Sequence, residues 1–448
     1  MIIIRKIFYV LKSSTTDDVI ISSVNQLFRL ISGPLMLVTI PLFLKSEIQG
    51  YWYTFGSISA LSMLADLGFT TIILQFSAHE FAHLKMNAQM NLEGPQEYID
   101  RLSTLFRFVM QWTCMLIGIA FPLIFLVGWS IFTGKGDKSI WLLPWSIFIS
   151  ASSLGFINSI VSSFVTGCDQ VANIQKRLLV SSITQVVVTL SALYLGAGLY
   201  AIGIASIVGN ILSSTLLITQ YNTLFKTLLM KVTIPYKWGK EIFKLLWKYA
   251  VSWSSGYMIF QIYTPFMFIY HGPIEAGKVG ISISLVTAMF SISNIWISAN
   301  TPRFNMLVSQ KDWHQLDRQF WKNLTLSILT FIFEVLVLFI IVYALSGRWI
   351  LFDRISSRFA SFLALSMLII GWFLEIVING FATYMRAHKQ EPIVTLSVVS
   401  GLFIVITTYF SARFLPADLF FLGFLLSFLF ALPWTIWIFH KNRISWHK

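Results

Sequence analysis

His79-Glu80-Phe81-Ala82-His83 matches H-E-x-x-H, the spacing that sets two imidazoles one helical turn apart on a zinc ion, with the glutamate as base. A catalytic zinc needs a third ligand, and no later His or Asp stands in a recognisable motif. The segment also falls at the end of an apolar run, so the expectation is interfacial histidines with a capping Glu, with neither metal nor cofactor. Four other charges stand inside apolar runs: Arg29, Asp66, Glu334 and Glu375. Charge at bilayer depth is rarely kept for packing; it faces a protein interior or a watery cavity and has a partner. Two readings stay open here, a functional site or a structural Arg29–Asp66 ion pair. Cys114 and Cys168 match no metal or redox spacing and read as packing residues.

The elements that must hold these groups are membrane helices. Of 448 residues, 56% are hydrophobic and only 11% charged, and mean hydropathy is +0.75, values that fit a polytopic membrane protein and no soluble class. The net charge of +13 has no basic, aromatic-interleaved soluble domain behind it, which excludes nucleic acid as partner. Hydropathy windows predict twelve spans, at 19–44, 50–76, 104–131, 140–167, 178–196, 198–220, 249–270, 279–300, 324–346, 358–385, 391–412 and 415–440. Residues 1–12 mix apolar and basic groups and read as a short helix on the membrane surface. The start and alternate loops carry 23 of the 32 Lys and Arg residues and the other loops only 8, which predicts that both termini are cytoplasmic.

Polar residues recur at helical spacing inside the spans. Ser59, Ser62 and Thr70 share the face of Asp66, and Ser22, Gln26, Arg29 and Gly33 make a stripe on the first span. Ser284, Thr287, Ser291, Asn294 and Ser298 form one on the eighth, and Asn323, Ser327, Thr330 and Glu334 one on the ninth. The tenth carries Glu375, Asn379 and Arg386. Helix–helix glue is the competing reading of the Ser and Thr stripes. Pro34 and Pro265, Gly50 and Gly280, Asn158 and Asn379, and Gln170 and Gln390 recur at offsets that fall from 231 to 220 residues. That smooth drift predicts two homologous six-helix halves, 1–222 and 223–448, with Pro34 and Pro265 bending equivalent helices. The predicted fold is thus an all-α polytopic membrane protein, with twelve transmembrane helices in two pseudo-symmetric lobes around a central cavity.

Residues 46–84, E-I-Q-G-Y-W-Y-T-F-G-S-I-S-A-L through L-A-D-L-G-F and Q-F-S-A-H-E-F-A-H-L, resemble the Wzx-type O-antigen flippases. These belong to the MOP (multidrug/oligosaccharidyl-lipid/polysaccharide) exporter superfamily. N-G-F-A-T-Y-M-R at 379–386 extends the likeness into the second half. The resemblance implies a flippase that moves an undecaprenyl-pyrophosphate-linked oligosaccharide from the cytoplasmic to the periplasmic leaflet of a bacterial inner membrane, by alternating access and coupled to an ion. On that reading Arg29 meets the pyrophosphate, Asn25 and Gln26 lie near the sugar, and Asn294 and Asn379 are further substrate-binding candidates. Asp66, Glu334 and Glu375 become candidates for ion coupling, with Lys248, Arg303 and Arg107 as added cations at the cytoplasmic rim. Its partners would be the lipid-linked oligosaccharide, membrane lipids and other polysaccharide-assembly proteins. Two alternatives stand beside it: an ion-coupled exporter of small amphipathic molecules on the same architecture, and a polymerase or ligase of the same pathway. The last would need a sizeable periplasmic catalytic loop, and the sequence offers none.

Overall fold

The computed structural model describes residues 14–87, 89–230, 232, 236–388 and 390–446. Their side chains are described except at 14–20, 22, 23, 29, 245, 248, 252 and 351. The surface helix expected over 1–12 and the side chains of Arg29 and Lys248 therefore lie outside the described residues.

Helices dominate. In chain order they are α1 (Ser14–Phe43), α2 (Ser46–Ser59), α3 (Ser62–Asp66), α4 (Phe69–Phe81), α5 (Gln96–Phe132), α6 (Lys138–Gly167), α7 (Val171–Tyr194), α8 (Tyr200–Leu229) and α9 (Gly239–Phe260). There follow α10 (Tyr263–His271), α11 (Pro273–Ser293), α12 (Ile295–Ser298), α13 (Thr301–Gln310), α14 (Trp313–Leu345), α15 (Ile350–Ser356), α16 (Phe362–Ala387), α17 (Val394–Phe414) and α18 (Leu422–Trp446). A small hairpin, β1 (Lys85–Met86) against β2 (Leu92–Glu93), is the sheet among the described residues. Among the described residues ten helices are long and apolar enough to cross a bilayer, and the bent pair made by Ser46–Asp66 and Phe69–Phe81 brings the number to eleven. The seventh expected span coincides with α9 and α10. These separate at Gln261, the residue whose carbonyl loses its helical partner because Pro265 has no N–H. Pro34, by contrast, sits inside the continuous α1.

Two expectations change. The interior loop expected over 301–323 is helical except at Lys311 and Asp312, where Lys311 turns the chain with φ 57°. The second span is not one straight helix bearing the Asp66 stripe. It breaks at Leu67 and Gly68, both left-handed, and bends by 44°. Gly68 is required twice over: its φ is +79°, and a Cβ there would sit 2.9 Å from Trp253 Nε1.

The chain forms two compact units, one of Met1–Ser32 with Ile58–Trp253 and one of Gly33–Ser57 with Ser254–Lys448. The end of α1 and all but the last turn of α2 thus pack with the C-terminal unit, an exchange that a cut at 222 does not contain. In the first unit α6, α7 and α8 pack on one another, and α4 and α5 lie on α6. In the second, α16 packs on α18 and α11, and α14 on α11. There α2 crosses the start of α11 closely enough that a Cβ on Gly50 would overlap the Pro273 carbonyl and one on Gly280 would overlap Tyr53. Gln49, 1% exposed, donates to the Gly277 carbonyl at 3.0 Å across the same crossing. The two glycines matched by repeat spacing therefore serve one close crossing.

Candidate functional site: a polar seam and a cationic cavity

The eighth span is interrupted at Asn294 and again at Ala299 and Asn300, between α11, α12 and α13. Pro302, in the first turn of α13, cannot donate to a carbonyl of the preceding turn, so the interruption is local chemistry. Side chains fill the gap. Asn379 Nδ2 of α16 donates to Asn294 Oδ1 at 2.9 Å. Ser327 Oγ donates to the Ser293 carbonyl at 2.7 Å, and Ser293 Oγ to Glu334 Oε2 at 3.1 Å. Trp296 Nε1 donates to Thr330 Oγ1 at 2.9 Å, and Asn300 Nδ2 donates to Asn323 Oδ1 at 3.3 Å. The α14 stripe Asn323, Ser327, Thr330, Glu334 is thus the spine of a polar seam about 16 Å long. Glu334 Oε1 is buried without a hydrogen-bond partner among the described residues.

At one end of this seam lies a cavity of about 550 Å³. Arg303 of α13 lines it, with His314, Arg318 and Lys322 of α14, which recur every four residues and so share one face. Gln315, Gln319 and Asn323 follow one position behind, and Asn300 completes the wall. Aromatic packing fixes the hairpin that carries them. Phe304 and Phe320 are fully buried, Phe320 lies 4.9 Å from Tyr384, and Phe381 lies 4.6 Å from Phe439. The charged side chains take the faces left over.

Among the described residues no acid lines the cavity. Asp312 accepts from the Gln315 backbone at 3.0 Å as a helix cap, and Asp317 is held by Arg443 and by the Tyr384 hydroxyl at 2.7 Å. Among the described residues Arg303, Arg318 and Lys322 have no ion pair. Cations gathered without counter-charges repel one another, and the arrangement is relieved by a visiting anion. Guanidinium forks match phosphate oxygens in pairs, whereas a lysine offers a point charge.

Sequence-predicted residues fall in several places. Asn294, Asn379 and Glu334 meet in the seam, and Glu375 is half-buried on α16 one turn before Asn379. Asp66 belongs to the first unit and acts locally. It accepts from Thr70 N at 3.1 Å and Thr70 Oγ1 at 2.9 Å, capping α4 beyond the break. Asn25 is buried, donating to Gln175 Oε1 at 2.9 Å, while its neighbour Gln26 is exposed. Arg107 donates to the Met230 carbonyl.

In the sequence Arg318 and Lys322 figure only as loop charges and His314 not at all; their four-residue spacing was the available signal. Arg177, also counted as a loop charge, is 3% exposed and donates to Ser213 and Ser162 inside the first unit.

The H-E-x-x-H segment is occupied otherwise than expected. Glu80 does not cap a helix: it is 2% exposed and takes Arg101 with both oxygens, at 2.7 Å from Nε and 2.9 Å from Nη2. Arg101 in turn lies 4.6 Å over Tyr236 and 5.6 Å over Trp238. The Tyr236 hydroxyl donates to Glu241, and that bond pushes its pKa upward. The His79 side chain is 77% exposed, and His83 stacks on Tyr98 at 4.0 Å. Among the described residues no group of three or more His, Cys, Asp or Glu is placed to hold a metal.

No family model matches the chain, and no curated protein matches it. Among solved structures, the lipid II flippase MurJ in its inward closed conformation matches with a TM-score of 0.67 at 11% identity, over 93% of this chain and 87% of that one. The inward-facing form of a multidrug resistance MATE family transporter of the MOP superfamily gives 0.59 at 12% identity, over 94% and 96%. The chain has the fold of the MOP transporters. A MOP superfamily transporter from Pyrococcus furiosus, noted for the "reverse polarity" of its binding pocket, gives 0.54 at 10% identity, over 95% and 96%. The MOP fold accounts for the all-helical, multi-pass plan, in which the polar seam interrupts spans that are otherwise apolar.

Proposed function

We propose that the protein is a flippase for a polyprenyl-pyrophosphate-linked oligosaccharide, the undecaprenyl-linked O-antigen unit of a bacterial inner membrane. It would carry the head from the cytoplasmic to the periplasmic leaflet by alternating access of two lobes around a central cavity. The observation that carries this reading is the acid-free cavity of Arg303, Arg318 and Lys322 at the end of a polar seam. A sugar-pyrophosphate head cannot enter hydrocarbon bare, since each unpaired polar group costs about 2 kcal/mol or more. Cations meet the phosphates, the amides and hydroxyls of the seam replace water on the sugar, and the polyprenyl tail stays in lipid. Arg29 would add a further cation, with Asn25 and Gln26 beside the sugar. Glu334 and Glu375 are the better placed candidates for ion coupling, because Asp66 already caps a helix. The likeness to a lipid II flippase supports the substrate class.

The likeness to MATE transporters supports a second reading, an exporter of small amphipathic molecules. A cavity bare of acids repels cationic amphipaths, so such substrates would have to be anionic.

Reconstitution tests the choice. Full-length protein in proteoliposomes should make a fluorescent, pyrophosphate-linked oligosaccharide lipid accessible to an impermeant quencher. Arg318→Ala combined with Lys322→Ala should slow this at least tenfold, and Arg318→Lys should slow it less. Unchanged flipping in the double variant would remove the cavity from the mechanism. Transport of a small anionic amphipath without any flipping would favour the exporter.

A further inference from the structure

A second cavity, of about 300 Å³, lies between the start of α17 and the end of α18, and among the described residues no acid lines it. Its walls are graded. Trp434 and Ile438 make the apolar part; one and two turns on, Lys441 and Asn442 make the polar part, with Thr395 of α17 opposite. From Trp434 to Lys441 is about 10 Å along the helix, an apolar-to-charged step on one face. Lys441 Nζ stands 5.2 Å over the Trp437 ring and has no ion pair among the described residues. The acid nearest to Pro392 and Thr395 in sequence, Glu391, is bound to Arg386 at 3.1 Å. Trp437 itself is 59% exposed, an amphipathic ring of the kind that sits at headgroup level.

We propose that this cavity binds one anionic phospholipid of the cytoplasmic leaflet, its phosphate on Lys441 and Asn442 and an acyl chain along Trp434 and Ile438. Charge complementarity selects the occupant: a free cation beside an apolar wall suits a phosphodiester with a tail. The orientation predicted from the loop charges puts this end of α18 at the cytoplasmic leaflet, where anionic lipids attract basic groups. The site is separate from the Arg303–Lys322 cavity and does not depend on what is transported.

Native mass spectrometry of the full-length protein in neutral detergent tests this, with phosphatidylglycerol and phosphatidylcholine of identical chains. One phosphatidylglycerol should be retained about fivefold better than phosphatidylcholine, the worth of one lysine near an anionic surface. Lys441→Gln should abolish the preference, Lys441→Arg should keep it, and Lys240→Gln should leave it unchanged. Thr395→Trp, which fills the cavity with the charge intact, should remove the bound lipid as well. Equal retention of the two lipids, a preference that survives Lys441→Gln or Thr395→Trp, or displacement by inorganic phosphate alone would each overturn the proposal. So would retention of the pyrophosphate-linked oligosaccharide lipid in place of phosphatidylglycerol.

Discussion

Asn379 Nδ2 donates to Asn294 Oδ1 at 2.9 Å, tying the middle of α16 to the point where the eighth span is interrupted. Hydrogen bonds between membrane helices contribute about 0.6 kcal/mol on average. Asn379→Ala should therefore leave membrane abundance close to wild type while lowering flipping severalfold, because the amides are needed by the sugar more than by the fold. Fluorescence-detected size exclusion beside the flipping assay separates the two. A parallel fall of both would make the pair a packing contact.

Glu334 has one oxygen on Ser293 and the other buried without a partner. A carboxylate so placed is suited to take up a proton or sodium ion in turn. Glu334→Gln should keep downhill flipping and lose its acceleration by an imposed proton or sodium gradient. Acceleration that persists in this variant would pass the coupling role to Glu375.

Arg101→Ala should strand the buried Glu80 carboxylate. Breaking a buried pair costs about 3–5 kcal/mol, and the partial exposure of Arg101 points to the lower end. Abundance should fall sharply, and Glu80→Gln with Arg101→Met should restore most of it. His79→Ala should be neutral, and purified protein should hold well under one zinc per chain by elemental analysis. Stoichiometric zinc lost with His79 would make the segment a metal site.

At the bend of the second span, Asp66→Asn keeps an acceptor for Thr70 and should leave abundance and flipping near wild type. Asp66→Ala should cost about 1 kcal/mol, the usual worth of a helix cap. Gly68→Ala should be worse, since the left-handed backbone and the Trp253 ring both oppose a Cβ. Full abundance without flipping in Asp66→Asn would return Asp66 to ion coupling.

The spans were legible because about twenty apolar residues at helical rise leave a strong signal. Asn294 and Asn379 stood out singly, since polar side chains in apolar runs are costly and conspicuous, but no spacing in the sequence joined the one to the other. The Arg303–Lys322 cavity was hidden by the same reasoning. Once 301–323 is taken as a loop, Arg303 stands alone as a rim cation, Arg318 and Lys322 indicate sidedness only, and the helical period that joins them carries no meaning. Glu80 was hidden for another reason. Its partner Arg101 is 21 residues away and the rings over Arg101 lie beyond 230, contacts that no local spacing encodes. The bend at Leu67 is equally silent, for Leu67 takes a left-handed backbone that its type gives no cause to expect.

The interleaving of the units has a consequence for biosynthesis. Gly33–Ser57 leaves the ribosome early, yet the rest of its unit begins at Ser254, roughly 200 residues later. At about 5–20 residues per second that is a wait of about 10–40 s. Through it, Gln49 lacks the Gly277 carbonyl and Gly50 faces no Pro273. A segment made about 200 residues ahead of its partners is thus completed only after they emerge, and the insertion machinery must shelter it until then.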